Sequence, residues 1–268
     1  MHDNKFKVLL LGDVYGQAGC RALFFNLKSL IKKKKADLVI INGENAADGL
    51  GINSKTMEQL MQSGGDVITT GNHVWQKPEG VQLLKETPHL LRPANYPDFP
   101  ESAPGSGVFI IEKSGVKAAV INLEGRESMS NLDCPFRSVT EIIKKIKKDK
   151  SVNIIIIDFH AESAMEKEAL ALFLDGQVSL LVGTHTHVQT ADEKILPKGT
   201  GYITDVGMTG PEDSVIGSEK NTALEKFLTQ MPLKMEIAET PLMINGVFAE
   251  IDTETGKTIS IERIYERV

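Results

Sequence analysis

The sequence has few cysteines and no long apolar run. Two of its 268 residues are cysteines, so we do not expect a disulfide framework. We expect a reducing, cytoplasmic location instead. No apolar stretch approaches the roughly 20 residues that a membrane-spanning helix requires. The first apolar run, residues 8–11, is also too short for a signal peptide and ends in Gly-Asp. We therefore expect a protein that makes no contact with membranes.

An excess of positive charge is also missing. The chain carries 30 Lys and Arg against 36 Asp and Glu, which gives a formal net charge of −6. Electrostatic binding of long nucleic acid along a broad basic surface is therefore not expected. RNA stays open as a partner, because bound metal could create a local cationic site. Since we find no repeat, low-complexity tract or break in composition, residues 1–268 are predicted to form one domain.

Short apolar runs alternate with helix-like segments, and strands follow strands toward the end of the chain. This order predicts an α/β protein with a mixed sheet, in the form of two sheets packed face to face with helices outside. A loop is predicted for residues 88–107. The predicted strands are 6–11, 38–41, 66–70, 108–112, 117–123, 153–157, 178–182, 194–196, 201–204, 246–251 and 258–265, and the predicted helices are 21–35, 54–62, 78–85, 139–148, 163–174 and 221–228.

The most informative stretch runs from Gly183 to His187 and reads Gly-Thr-His-Thr-His. It follows the apolar residues 178–182, which are typical of a buried strand. In an extended chain, residues i and i+2 point to the same side, so His185 and His187 can face one site. Imidazole is the commonest metal ligand near neutral pH. Taken alone, the stretch is explained equally well as two polar residues in a turn.

Other predicted strands also end in metal-binding residue types. Binding sites in open α/β sheets collect outside the carboxyl ends of the strands, so five strands would direct oxygen and nitrogen donors to one region. Two histidines lie elsewhere: His2 is interpreted as a tail residue and His89 as a loop or surface residue. The strand-end set consists of Asp13, Glu44, Asn45, Asn72, His73, His160, His185 and His187.

Several members of this set also have a purely structural interpretation. Asp13 could cap the following helix, and Glu44 could be a surface acid. Asn72 could hold a turn, and His160 could be a buried, hydrogen-bonded histidine. A purely structural explanation of the whole set requires all these interpretations to be correct at once. The set as a whole therefore supports the metal hypothesis more strongly than any single residue does.

The set combines carboxylates, amide oxygens and imidazoles without cysteine. This argues against a closed structural zinc site and favours catalytic Mn, Fe, Zn or Co. There are more donors than one ion needs, which favours two ions about 3.5–4 Å apart. Two dications outweigh the charges of Asp13 and Glu44, and a positive surplus suits a phosphate ester. If Asn72 faces the metals, the adjacent His73 could protonate a leaving oxygen.

At these residues the sequence resembles the calcineurin-like metallophosphoesterases, and more closely one bacterial branch, the YmdB-type phosphodiesterases. A glutamate at position 44 replaces the bridging aspartate that is usual in the superfamily, and the YmdB-type branch shares this glutamate. The matching motifs are Gly12-Asp13, Asn42 to Ala47, Gly71 to His73, Arg92 to Asn95, Asp158 to Glu162, Gly183 to Ala191 and Thr204 to Pro211.

The resemblance implies a four-layer α-β-β-α sandwich of two mixed sheets and a centre of two metal ions, iron or manganese with zinc as a further option. Glu44 would bridge the ions, and His73 would be the catalytic proton donor. Asp13, Asn45 and His187 would complete one metal site, and Asn72, His160 and His185 the other.

The YmdB-type branch is associated with cyclic-nucleotide phosphodiesterase activity. The resemblance therefore implies a small phosphodiester substrate of the 2′,3′- or 3′,5′-cyclic AMP type. Arg92, Asn95 and the pair Met208-Thr209 are weaker candidates for shaping the pocket, with a structural turn role as an equal alternative. A homo-oligomer is compatible with the sequence.

Two alternatives stay open at the level of the sequence. The same chemistry could act on a phosphomonoester or on RNA. In a different functional class, the protein could be a metal-bound regulator that acts through partner contacts and performs little chemistry.

Overall fold

The structure is a computed structural model that describes residues 4–98 and 101–268. Helices and strands alternate over much of this part of the chain. In order they are β1 (Lys5–Leu11), β2 (Asp13–Val14), α1 (Gly16–Lys34), β3 (Leu38–Asn42), α2 (Ser54–Ser63), β4 (Val67–Thr69), α3 (Pro78–Glu86), β5 (Val108–Lys113), β6 (Val116–Glu124), α4 (Pro135–Ile146), β7 (Val152–His160), α5 (Ala164–Leu174), β8 (Leu180–Thr184), β9 (Lys194–Ile195), β10 (Gly201–Ile203), β11 (Met208–Pro211), α6 (Lys220–Thr229), β12 (Leu242–Asp252) and β13 (Thr258–Arg267).

The strands form two mixed sheets. The first has the order β2-β11-β12-β1-β3-β4, with β13 also paired to β12, and the second has the order β5-β6-β7-β8-β10-β9. Strands β1, β3 and β4 run parallel to one another, as do β6, β7, β8 and β10. The carboxyl ends of the strands that precede the candidate ligands therefore lie together at one edge of each sheet.

Alternating side chains of β1 enter two different cores. Leu9 and Leu11 pack in a core with Leu23 of α1, on the outer face of the first sheet. Val8 and Leu10 pack in a second core that lies between the sheets. This period of two is what an extended strand buried on both faces requires.

Strand β7 divides its side chains in the same way. Ile154 and Ile156 enter the core between the sheets, where they meet the residues from β1. Ile155 and Ile157 pack in a third core, which contains Val139 of α4. Three cores between four layers confirm the predicted α-β-β-α sandwich.

The predicted elements differ from the structure mainly at their ends. Helix α1 begins at Gly16 instead of residue 21 and therefore includes Gly19. A glycine fits at this position in the helix because a Cβ would come within 2.4 Å of the Thr209 carbonyl oxygen. Helix α2 is capped by Asn53, whose side chain accepts a hydrogen bond from the Thr56 amide. Helix α4 begins at Pro135 instead of residue 139.

Short elements and isolated residues complete the comparison. Strands β2 and β11 were not predicted, because two to four residues are too few for a periodic pattern. His89 is half-buried, with its ring centroid 6.3 Å from that of Phe109, whereas His2 lies outside the described residues. Cys20 and Cys134 are free, and no helix among the described residues is long and apolar enough to cross a membrane.

The core between the sheets provides a test of this packing. We expect Ile156→Ala to lower the free energy of unfolding by about 2–5 kcal/mol, since Ile156 is fully buried and its truncation leaves a cavity. The matched control is Ile110→Ala on the exposed side of β5, which should cost less than about 1 kcal/mol. Urea unfolding of both variants measures the difference, and equal losses would contradict the four-layer packing.

Candidate metal centre

The strand-end residues predicted from the sequence meet in one site between the two sheets. Asp13 follows β1, and Glu44 and Asn45 follow β3. Asn72 and His73 follow β4, His160 ends β7, and His185 and His187 follow β8. Each of the eight side chains lies within hydrogen-bonding or ion-pairing distance of another member of the set.

His160 is the centre of the first group of contacts. Its Nε2 atom lies 3.0 Å from Asn72 Oδ1, 3.1 Å from Glu44 Oε2 and 3.0 Å from His185 Nδ1. One N–H can donate well to only one of these three acceptor-type atoms. Ligand atoms of Glu44, His160 and His185 all lie within 4.8 Å of one another, a spacing that one metal ion could bridge.

Asp13 and His187 form the second group. His187 Nε2 lies 3.4 Å from Asp13 Oδ2, which also accepts a hydrogen bond of 2.9 Å from the backbone amide of His185. The other carboxylate oxygen, Asp13 Oδ1, is buried and has no hydrogen-bond partner among the described residues. An unpaired buried carboxylate oxygen is costly, and a bound cation would remove that cost.

Burial and neighbouring charges set the protonation of the three imidazoles. Burial, with the charge of His160, lowers the pKa of His185 to about 4, and burial also lowers the pKa of His187. Both rings are therefore neutral near pH 7 and offer a lone pair. Burial opposes protonation of His160 as well, but the charges of Glu44 and Asp13 outweigh it and raise the pKa to about 9.

The two carboxyl groups differ in the same environment. Burial raises the pKa of Asp13 well above its usual range. Burial acts in the same direction on Glu44, but the charge and hydrogen bonds of His160 and His73 prevail and lower its pKa well below the usual range. Glu44 is therefore the anion around which the site is organised. The donor set and its orphaned oxygen together fit metal ions.

Each imidazole is oriented by a partner on its other nitrogen. His160 Nδ1 lies 2.9 Å from Thr184 Oγ1, which donates to Asp158 Oδ1 at 2.7 Å. The second ring nitrogen of His185 lies 3.0 Å from Glu162 Oε2. Such partners fix the ring and the tautomer of a ligating histidine. The sequence prediction gave no role to these partners, although Asp158 and Glu162 belong to the motif around His160.

A buried ion pair supports the loop that carries His185 and His187. Both histidines have positive φ, 103° and 65°, which is uncommon for residues other than glycine. Between them, Thr186 donates from its amide and its hydroxyl to Asp205 Oδ2, at 3.1 and 2.9 Å. Asp205 is held by Lys167, whose Nζ lies 2.8 Å away and which is fully buried. The loop is thus fixed by helix α5 and by the segment that follows β10.

Asn45 has an orientation that bears on its predicted role as a ligand. Its Nδ2 lies 3.0 Å from Glu44 Oε1 and 3.1 Å from His187 Nε2, and its Oδ1 accepts from His73 Nδ1 at 2.7 Å. In this orientation the amide nitrogen faces the centre. Metal ligation by Asn45 stays a prediction that requires the amide to rotate by half a turn.

The weaker pocket candidates have structural contacts. Arg92 donates to the carbonyls of Pro93, Ala103 and Pro104. Asn95 bonds the backbone of Glu124 and the carbonyl of Asp133. Met208 and Thr209 are buried in β11, where they pair with β2. The contacts of these residues in the structure are therefore those of a structural role.

Comparison with known proteins gives a match over nearly the whole chain. Residues 9–264 match the family model described as YmdB-like protein. A 2′,3′-cyclic-nucleotide 2′-phosphodiesterase of Bacillus subtilis is 46% identical over 258 residues, which is 96% of this chain and 96% of that protein.

Solved structures agree with this match. A phosphatase structure from Mycoplasma pneumoniae is 38% identical, covers 98% of this chain and 94% of its own, and superposes with a TM-score of 0.91. A putative 5′-nucleotidase from Staphylococcus aureus, 15% identical, has a TM-score of 0.62 over 97% of this chain and 54% of its own. At that identity the similarity concerns the fold alone.

Metal affinity is expected to depend on pH. Because the pKa of His160 is raised to about 9, its ring carries a proton below that pH, and a metal ion that binds this ring must displace the proton. Affinity should therefore increase as the pH rises toward about 9, and binding near pH 7 should release protons. Calorimetry of Mn²⁺ binding in two buffers with different ionisation enthalpies measures this release. A metal affinity that does not change between about pH 6 and about pH 9 would contradict this prediction.

The contact between Glu162 and His185 gives a second test. We expect Glu162→Ala to weaken metal binding by about tenfold, at the low end of the usual range because Glu162 is partly exposed. The control is Glu168→Ala, which removes an exposed carboxylate paired with Lys194 and should leave the affinity unchanged. Competition with a chelator measures both variants. If Glu162→Ala bound metal as tightly as Glu168→Ala, Glu162 would not be the residue that orients His185.

Proposed function

The chain belongs to the YmdB-like protein family, and on that premise we propose that it is a metal-dependent phosphodiesterase that hydrolyses 2′,3′-cyclic nucleotides. The observation that carries this proposal is the convergence of Glu44, Asn72 and His185 on one nitrogen of His160, beside the orphaned oxygen of Asp13. The Bacillus subtilis relative supports the substrate class by its name and its 46% identity.

We propose that the centre takes two metal ions. Asp13 and His187 would hold one ion, Asn72, His160 and His185 the other, and Glu44 both. When bound, the ions would supply Lewis acidity that activates water and neutralises the charge of the phosphate. The mixture of oxygen and nitrogen ligands suits iron or manganese, with zinc as the alternative.

His73 is assigned the role of proton donor. Its Nδ1 lies 2.7 Å from Asn45 Oδ1 and 3.1 Å from Glu44 Oε1, so these residues orient the ring. Within the described residues its Nε2 has no partner, and the side chain lines a cavity of about 380 Å³ together with Glu44, His185 and His187. That volume lies in the range of small-molecule sites.

The reaction assigned to these residues is hydrolysis of the ester at the 2′ oxygen. Water adds to phosphorus and loses a proton to solvent, the bond from phosphorus to the 2′ oxygen breaks, and His73 gives that oxygen a proton, which the ring regains from solvent. The product is a 3′-phosphate. The free cysteines and the acidic net charge are consistent with a small substrate in a reducing cytoplasm, and we propose that location.

The role of His73 is tested by substitution. We expect His73→Ala to lower kcat for 2′,3′-cyclic AMP by about 10²–10⁴-fold, because the leaving oxygen loses its proton donor. Metal content should not change. The control is His89→Ala, a half-buried histidine that lies outside the described centre and should leave kcat unchanged. Elemental analysis and initial rates measure both variants, and an unchanged kcat in His73→Ala would remove this residue as the acid.

A further inference from the structure

One wall of the cavity at the metal centre is apolar and exposed. Leu50 and Ile216 line the cavity together with the metal-centre residues, and they expose 46% and 54% of their surface. Tyr15 lies in the same wall, with its ring centroid 5.5 Å from that of His187 in an edge-to-face contact. Large apolar side chains that stay exposed beside a polar site are typical of a surface that binds a ligand.

Tyr15 separates the two loops that carry this wall. A Cβ on Gly49 would lie 3.2 Å from the Tyr15 ring, and a Cβ on Gly217 would lie 2.5 Å from it. Both glycines have positive φ, at 80° and 103°. The backbone of each loop therefore packs directly against the ring, and the position of the wall relative to the metal centre is fixed.

Ile216 is held in an unfavourable conformation. Val215 and Ser218 bond each other's backbone in a tight turn, with Ile216 at φ 48° and Gly217 at φ 103°. Turns with two central residues at positive φ favour Asn, Asp or Gly at the first of them. A β-branched residue there is an outlier. Strain of this kind concentrates at functional sites.

The turn connects the wall to the metal centre. The Ile216 carbonyl oxygen lies 3.0 Å from His187 Nδ1, so the backbone of this residue orients a predicted metal ligand. An asparagine would keep that carbonyl in place with less strain, and the backbone contact therefore does not explain an isoleucine. The side chain requires its own explanation, which its exposure into the cavity provides.

We propose that Leu50 and Ile216 form the binding site for the base of the nucleotide, while the phosphate lies at the metal centre. This inference rests on the proposed function and deepens it, because it makes the apolar wall the element that distinguishes a nucleoside cyclic phosphate from a cyclic phosphate without a base. The flat face of a purine or pyrimidine is apolar and matches these two side chains, and contact with such a face is tolerant of base identity.

The test compares two substrates with the same five-membered cyclic phosphate, 2′,3′-cyclic AMP and glycerol 1,2-cyclic phosphate. We expect Ile216→Asn and Leu50→Asn each to lower kcat/KM for 2′,3′-cyclic AMP by roughly five- to tenfold through a higher KM. The rate with the base-free substrate should not change. Asparagine tolerates positive φ, so Ile216→Asn keeps the turn and the carbonyl beside His187.

The control is Leu172→Asn on α5. Leu172 is as exposed as Ile216 but does not line the cavity, so this variant should hydrolyse both substrates like the unaltered protein. Equal losses on both substrates in Ile216→Asn would show that the residue acts through His187, which overturns the proposal. Unchanged kinetics in both wall variants would overturn it as well.

A binding measurement separates this inference from the proposed function. Calorimetry on the Mn²⁺-loaded protein gives the affinities for 3′-AMP and for inorganic phosphate without turnover. We expect 3′-AMP to bind more tightly than phosphate, and Ile216→Asn to reduce the affinity for 3′-AMP alone. Failure to hydrolyse any cyclic phosphate would refute the proposed activity, and the binding measurement would still test the base site. Equal affinities for 3′-AMP and for phosphate would overturn the base site.

Discussion

The structure depends on one electrostatic constraint, the convergence of electron-rich atoms at a buried point with too few protons to join them. Asn72 Oδ1, Glu44 Oε2 and His185 Nδ1 surround a single nitrogen of His160. Asp13 Oδ1 lies nearby and has no hydrogen-bond partner in the part of the chain that the structure describes. In a low-dielectric interior such an arrangement is costly unless positive charge is present. Bound metal ions would supply that charge, and the surrounding residues hold the ligands in place for them.

The support for this point comes from both sheets. Gly12 directly follows β1, and Gly183 is the last residue but one of β8. At each of them a Cβ would lie 1.8 Å from a carbonyl oxygen of a neighbouring loop. Glycine is therefore required where the two strands deliver their ligands. The buried pair of Lys167 and Asp205 fixes the strained loop between the histidines. Removing one partner of such a pair leaves an uncompensated buried charge, so a substitution at either residue would disturb the fold and the site together.

The sequence was sufficient for the architecture and for the residues that meet in the site, because both follow from short local patterns. Buried strands appear as apolar runs, and the carboxyl ends of parallel strands share an edge. The sequence was not sufficient to predict features that depend on contacts between segments far apart in the chain. Glu162 is revealed only by its distance to His185, and Ile216 only by its turn beside His187. The orientation of the Asn45 amide likewise depends on contacts with both Glu44 and His73.

The central claim is that two metal ions occupy this centre and make it a phosphodiesterase. Its most direct test is the metal content per chain, measured by elemental analysis after reconstitution with manganese or iron, together with hydrolysis of 2′,3′-cyclic AMP by the same sample. The account predicts about two ions per chain and hydrolysis that disappears when they are removed. A protein that binds no metal after reconstitution, or that hydrolyses the ester equally well without it, would contradict the account.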